Sequence, residues 1–270
     1  MRLSDEIASH YAQGVERDRL RTWGRLEALR TRELLARFLP PAPAIVLDVG
    51  GAEGAYALPL ASAGYPVHLL DPLPAHVEAA RAASARQTSL ASAEVGDARE
   101  LPFPDGAADV VLLLGPLYHL VDDTDRARAL AEAHRVLRPG GRLFAAAISR
   151  FASTLDGLRA GMITEPVFEA IVENDLRTGV HRNPDVGGRP EWFTLAYFHH
   201  PDELRAEVRR GGFPDAEVFA VEGPVGQASL HVDLDDPVAR DAALRAIARI
   251  EREPSLLGAS PHLLAVAAKP

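Results

Sequence analysis

Three acids stand where apolar runs end, and a glycine-rich loop lies between the first two. Asp48 is inside the run Ala44-Ile-Val-Leu-Asp-Val49, which opens into Gly50-Gly51-Ala52-Glu53-Gly54; Asp71 closes Val67-His-Leu-Leu70; Asp97 follows Ala93-Glu-Val95-Gly96. A strand that runs into glycines and then a helix lets a ligand approach the backbone at the helix N-terminus. That geometry suits a dinucleotide or another adenosine ligand. The dinucleotide fingerprint wants glycine at the first, third and sixth places; Ala52 and Ala55 stand at the third and sixth here. An acid at Asp48 would repel a pyrophosphate and would suit a ligand bearing an ammonium group. Asp71, about 20 residues beyond the loop, is placed to accept the two hydroxyls of an adenosine ribose. Asp97 stands where an adenine amino group could be read.

A second group of side chains has proton-transfer chemistry. Gly115-Pro116-Leu117-Tyr118-His119 follows the apolar run Asp109-Val-Val-Leu-Leu-Leu114. In open α/β sheets ligands bind beyond the carboxyl ends of strands, so these residues face the ligand crevice. Histidine titrates near neutrality, which makes His119 the first candidate base, with Tyr118 to bond or stack on a substrate. His199 is a further candidate, and Glu169 a weaker one. His199 and His200 are adjacent and no third ligand is evident, so no catalytic metal is expected. Asp122, Asp123 and Asp125 read as helix-capping acids.

Elements must position these groups. Residues 1–39 carry apolar residues at three- and four-residue intervals and read as helical until Pro40, Pro41 and Pro43. From residue 44 to about 150, continuous apolar strands alternate with helices, and Arg138-Pro-Gly-Gly141 reads as a turn before a fifth strand, Arg142–Ile148. Such a pattern predicts a parallel sheet covered on both faces. The rhythm breaks between residues 151 and 200, then resumes with a helix from Pro201, a strand at 216–221, a helix from Asp236 and a strand at 262–267. We therefore expect an α/β, Rossmann-like, seven-stranded, mostly parallel sheet with helices on both faces. Residues 1–43 form an N-terminal helical segment closing the ligand site, 44–150 and 201–270 the core, and 151–200 a helical and irregular cap insertion. Met162, Phe168, Trp192, Phe193, Tyr197, Phe198 and His200 are expected to line a roof over the substrate.

Four ordered pieces resemble the class I S-adenosylmethionine-dependent methyltransferases of the small-molecule type: Leu47-Asp-Val-Gly-Gly-Ala-Glu-Gly54; the strand-end Asp71; Gly96-Asp-Ala98 with Leu101-Pro-Phe-Pro104 and Asp109; and Arg135-Val-Leu-Arg-Pro-Gly-Gly141. The resemblance implies S-adenosyl-L-methionine as cofactor and S-adenosyl-L-homocysteine as product. It implies that Gly50, Gly51 and neighbouring backbone hold the methionine part near Asp48, that Asp71 with Pro72 holds the ribose, that Asp97 and Ala98 hold the adenine, and that Leu114 and Gly115 flank the sulfonium. An arginine before the first strand pairs with the cofactor carboxylate in some relatives, and an upstream tyrosine closes over it; Arg25 and Tyr11 are the matches, with Arg30 and Arg32 as alternatives. The middle glycine of the loop is Ala52 here, a departure that bears on the backbone contacts.

The chain has 270 residues and a formal charge of −9, without the dense basic patches that displace counterions from nucleic acid. Gly-Pro-Leu-Tyr at 115–118 also lacks the amide or acid of amino-methylating DNA enzymes. There is no cysteine, so thiolate metal sites, disulfides and a cysteine nucleophile are excluded. No secretory signal or membrane span is read, and the expected setting is a cytoplasmic monomer or homodimer acting on a small-molecule methyl acceptor. The acceptor is expected to be aromatic or heteroaromatic, as in natural product biosynthesis, with O-, N- or C-methylation, including at an indole-type ring carbon, all open. The competing readings are an NAD(P)-dependent oxidoreductase and a non-catalytic binding protein on the same fold.

Overall fold

The computed structural model describes residues 4–14, 16, 18–86, 88–226 and 230–270. Its first half runs α1 (Asp5–Ala12), α2 (Arg25–Phe38), β1 (Val46–Val49), α3 (Ala57–Ser62), β2 (Val67–Asp71), α4 (Pro74–Arg86), β3 (Ser92–Val95), β4 (Ala108–Leu113), α5 (Pro116–His119), α6 (Asp123–Val136) and β5 (Leu137–Ser149). It continues α7 (Ala152–Ala160), α8 (Pro166–Thr178), β6 (Val180–His181), β7 (Ala196–His199), α9 (Pro201–Arg210), β8 (Glu217–Ala220), α10 (Pro237–Ala248), α11 (Pro254–Leu257) and β9 (His262–Ala268).

Strands β1 and β4 are buried at every position, because helices cover both faces of the sheet. The strand period of two sorts their side chains. Leu47, Val49, Val111, Leu113, Leu143 and Ala145 pack with α6 and α9, whereas Val46, Val110, Leu112 and Phe144 pack with α2, α3 and α4. The seven expected strands lie in the order β3-β2-β1-β4-β5-β9-β8, with β9 antiparallel to both neighbours. No helix among the described residues is long and apolar enough to cross a membrane.

Three departures from the sequence reading bear on the site. The N-terminal segment is not one helical run: Gly14, at φ +71°, follows the end of α1, and a single 3₁₀ turn (Arg19–Arg21) separates it from α2. Arg138–Gly141 is a bulge within β5, where pairing passes from Ala108↔Leu137 to Val110↔Arg142, and Gly140 donates its N–H to the Lys269 carbonyl. The insertion also adds two short strands. β9 holds one edge of β5 as far as Ile148, so β7, parallel to β5 at Ile148 and Ser149, takes the other edge beyond the point where β4 stops pairing at Ala145. The cap is thereby fixed to the sheet beside the tip of β4. Its helices bury Phe168, Ile171, Val172 and Trp192 among themselves.

Candidate functional site

The β1–α3 junction turns sharply enough to require particular backbones. Gly50 has φ +73°, and a Cβ there would sit 2.8 Å from the Pro116 ring; a Cβ on Gly51 would sit 2.8 Å from Asp48 Oδ2. Ala52 also has positive φ (+47°), a conformation that costs an L-residue about 1–2 kcal/mol. Its N–H donates to Asp71 Oδ2 at 2.9 Å, which holds the loop in that shape. The methyl in place of the middle glycine is thus tolerated through a strand-tip carboxylate.

A cavity of about 940 Å³ opens along the carboxyl ends of β1, β2 and β4. Asp48, Gly50, Gly51, Asp71, Pro72, Asp97, Ala98, Leu114, Gly115, Tyr118, His119 and Tyr11 all line it, so the structure gathers these sequence candidates around one space. Asp48 is 1% exposed, and its Oδ2 is a buried oxygen with no hydrogen-bond partner. Burial, and after it the charge of Asp71, pushes the Asp48 carboxyl up to about 7. A buried acid with one oxygen free of hydrogen bonds, beside a glycine cradle, fits a cationic ligand group. Asp71 is less free than its position suggested: Oδ1 accepts from the Leu73 N–H at 2.9 Å and meets His76 Nδ1 at 3.0 Å. Asp97 is gripped by Arg99 through both oxygens (2.9 and 2.6 Å), and Arg99 reaches on to Asp125. Burial raises the Asp97 carboxyl, but the Arg99 hydrogen bonds and charge outweigh it and hold the group below its ordinary range.

At the tip of β4, Tyr11 from α1 meets His119 from α5. The Tyr11 hydroxyl lies 2.7 Å from His119 Nε2, and His119 Nδ1 faces the Leu195 carbonyl at 3.4 Å. With Nδ1–H toward that carbonyl, the tautomer follows: Nε2 accepts the Tyr11 O–H. Burial pushes His119 down to about 4, so it is neutral at physiological pH, and raises the Tyr11 phenol well above its ordinary value. Tyr118 donates to the Leu114 carbonyl at 3.2 Å, and burial raises its phenol too.

Several candidates lie elsewhere. Arg25 bonds the Leu234 carbonyl (3.0 Å) and Asp235 (2.7 Å) at a separate pocket of about 270 Å³. Of its alternatives, Arg30 is fully buried on Glu33 and Glu251, whereas Arg32 lines the large cavity and has no ion-pair partner among the described residues. His199 is fully buried against Glu207 and outside the cavity, and burial lowers it; Glu169 is exposed on α8.

The expected roof is also corrected. Met162, Phe168 and Trp192 form the cap's own core; Phe198 stacks on His181; Tyr197 lies under the Arg126 guanidinium at 3.8 Å; His200 is the N-cap of α9. Phe193 packs behind the site, its ring centroid 5.8 Å from His119 and 5.3 Å from His10. The cap is a wall that supports His119. The roof comes from the N-terminal segment, where Ile7, Tyr11, Glu16 and Arg19 line the cavity.

The sequence reading missed a buried ionic chain that links roof to sheet. Arg19 bonds Glu16 (2.8 Å) and Glu27 (2.9 Å); Glu27 lies 3.5 Å from His262 Nδ1, which lies 2.5 Å from Glu222 Oε1. Glu27, Glu222 and His262 have ligand atoms within 4.8 Å of one another, spacing that suits a metal ion. The chemistry is otherwise: Arg19 holds Glu27, and although burial pulls His262 down, Glu222 and Glu27 raise it to about 9, so the ring carries a proton.

A Rossmann-like sheet with this order, an acid-bearing glycine loop at the tip of β1 and acids at the tips of β2 and β3 define a class of adenosyl-binding transferases, and the comparisons agree. The sequence profile of the family "Methyltransferase domain" matches residues 47–145. The chain is 39% identical over 111 residues to an uncharacterized methyltransferase of Mycobacterium tuberculosis, a match covering 41% of this chain and 42% of that protein's length. It is 36% identical over 206 residues to a ubiquinone/menaquinone biosynthesis C-methyltransferase of Acidiphilium cryptum, covering 74% and 77% of the two chains. A SAM-dependent methyltransferase structure from Methanosarcina mazei superposes with TM-score 0.58 at 20% identity, over 87% of this chain and 96% of that one. The chain belongs to the class I S-adenosylmethionine-dependent methyltransferases.

Proposed function

We propose that this chain transfers the methyl group of S-adenosylmethionine to a small aromatic acceptor, with the Tyr11–His119 pair receiving the proton that the acceptor loses. The observation that carries the reading is the juxtaposition, around one cavity, of the unpartnered Asp48 oxygen and the 2.7 Å Tyr11–His119 contact at the tip of β4. Asp48 is suited to the cofactor ammonium, Arg32 to its carboxylate, Asp71 to the ribose hydroxyls, Asp97 and Ala98 to the adenine edge, and Leu114 and Gly115 to the sulfur. When bound, the cofactor supplies an activated methyl group on a sulfonium.

The protein's own part is alignment, exclusion of water and proton management. The N-terminal segment covers the cavity. Tyr11 gives its hydroxyl proton to His119 Nε2 as its oxygen takes one from the acceptor, so the proton ends on the imidazole. A base titrating near 4 does not deprotonate a neutral phenol or ring carbon. It takes a proton from an acceptor atom already made acidic by methylation, so methyl transfer leads and proton loss follows. The rings of Tyr11, Tyr118 and His119 form the wall that an aromatic acceptor would meet. The Acidiphilium cryptum relative, named for C-methylation in quinone biosynthesis, supports an aromatic acceptor as well.

The test is calorimetry with S-adenosylhomocysteine and, separately, NAD, followed by labelled-methyl transfer to 1,4-dihydroxynaphthalene and other aromatic acceptors. Binding of the first ligand alone and label in an aromatic product are expected. Absence of homocysteine-form binding would sink the reading.

A further inference from the structure

His262 opens β9 opposite Ile148, at the carboxyl end of β5 and two residues from Leu264, which pairs with Ala146. It lines the cavity together with Ala146 and Leu264, two strands over from the tip of β4 where the sulfur is assigned. Its Nδ1 is taken by Glu222 at 2.5 Å and approached by Glu27 at 3.5 Å. Glu222 is itself fixed, accepting from Ser260 Oγ and the His262 N–H, each at 3.2 Å. The ring therefore cannot turn without breaking a buried carboxylate contact. Its side chain is 23% exposed, and Nε2 has no hydrogen-bond partner among the described residues.

We propose that His262 is an acceptor-binding residue whose Nε2–H, fixed by the Glu222–Glu27 grip on Nδ1, donates to an oxygen of the methyl acceptor. The acceptor class is thereby narrowed, on the methyltransferase reading above, to aromatics bearing a phenolic or carbonyl oxygen. The charges around the ring favour a neutral or shared-proton oxygen over a free anion: Glu27, Glu222 and Glu16 slightly outweigh Arg19 and the imidazolium. An aromatic amine is the poorer partner for this donor, because its nitrogen lone pair is delocalised into the ring and its N–H groups would meet the Nε2–H donor to donor. Tyr118 and His119 line the same cavity, so a ring anchored at His262 through oxygen would share that space with the β4 tip.

Isosteric probes test this. Protein labelled with ¹⁵N-histidine and saturated with S-adenosylhomocysteine is titrated with 1-naphthol or with 1-aminonaphthalene, the His262 ring signal being assigned by its loss in His262→Gln. With no cysteine in the chain, neither probe meets a thiol. The naphthol is expected to shift the His262 Nε2 signal and the amine to leave it unmoved. His262→Leu should bind the naphthol about tenfold more weakly, the size of one lost charge-assisted hydrogen bond, while His262→Gln keeps part of the affinity. Both variants should hold S-adenosylhomocysteine within about twofold of the parent.

An unmoved ring signal, absent naphthol binding, or equal shifts with both probes would each overturn the proposal. The wild-type titration decides even where His262→Leu fails to fold, since the signal is assigned through the milder His262→Gln. Loss of S-adenosylhomocysteine binding by the parent protein would instead strike the methyltransferase reading itself.

Discussion

Asp48 shows how burial makes a residue's chemistry depend on what binds beside it. Burial, and after it the charge of Asp71, pushes its carboxyl up to about 7, and its Oδ2 has no hydrogen-bond partner. A ligand ammonium needs the carboxylate form, so binding must release the proton, and affinity must fall as pH drops below 7, by up to about tenfold per unit. Calorimetry with S-adenosylhomocysteine between about pH 8 and 5.5 should show this slope, and Asp48→Asn should bind weakly with the slope removed. At the other end of the site, Tyr11→Phe and His119→Ala should lower kcat by about 10²–10⁴-fold, the usual range for a lost acid–base group, with a much smaller change in cofactor affinity. An unchanged kcat with lost affinity would make the pair structural. The strand-tip acids were legible in the sequence because each closes an apolar run, a local signature. Their hydrogen bonds were not: the Arg99 grip on Asp97 depends on side-chain directions that no spacing reports. Arg25 failed for a related reason. Arg25 and Arg32 lie two turns apart on nearly one face of α2, so their place along the axis decides, with Arg25 beside the loop before α10 and Arg32 at the cavity, and apolar periodicity does not report that place.

At the scale of elements, the site is a sheet edge closed by two segments with exchanged duties. The aromatic stretch of the insertion read as a roof because its composition is the same whether it faces a ligand or its own helices. Pairing of β7 beside β5 turns it into a buttress. The cover instead comes from α1 and the turns after it, joined to α2 and the sheet through Arg19. A segment held over a cavity by few apolar contacts opens locally at modest cost, and a ligand beneath it raises that cost. Trypsin should therefore cut after Arg19 and Arg21 several-fold more slowly in the presence of S-adenosylhomocysteine, with cleavage followed by mass spectrometry. Equal rates would show that the segment does not cover the ligand. The ionic chain beneath it was invisible in the sequence, because Glu27, Glu222 and His262 come from the two ends of the chain and meet only when β9 inserts between β5 and β8.

For the whole molecule, that chain gives stability a sign. The folded pKa of His262, about 9, exceeds its ordinary value of 6.5, so the stabilisation is fully present below about 6.5 and is lost as pH rises through 9. His119 acts in the opposite direction: held down to about 4, it favours the unfolded chain as pH falls from 6.5 towards 4. Thermal unfolding should accordingly show a declining Tm from about pH 6.5 to 9 that His262→Gln flattens, and a separate decline on the acid side that His119→Ala reduces. Tyr11 belongs to the N-terminal segment over the cavity, while His119 stands beside the cap that β7 fixes to the sheet. Were that segment to lift, the Tyr11–His119 contact would part, so the pair proposed to take the proton would be assembled only over a covered cavity.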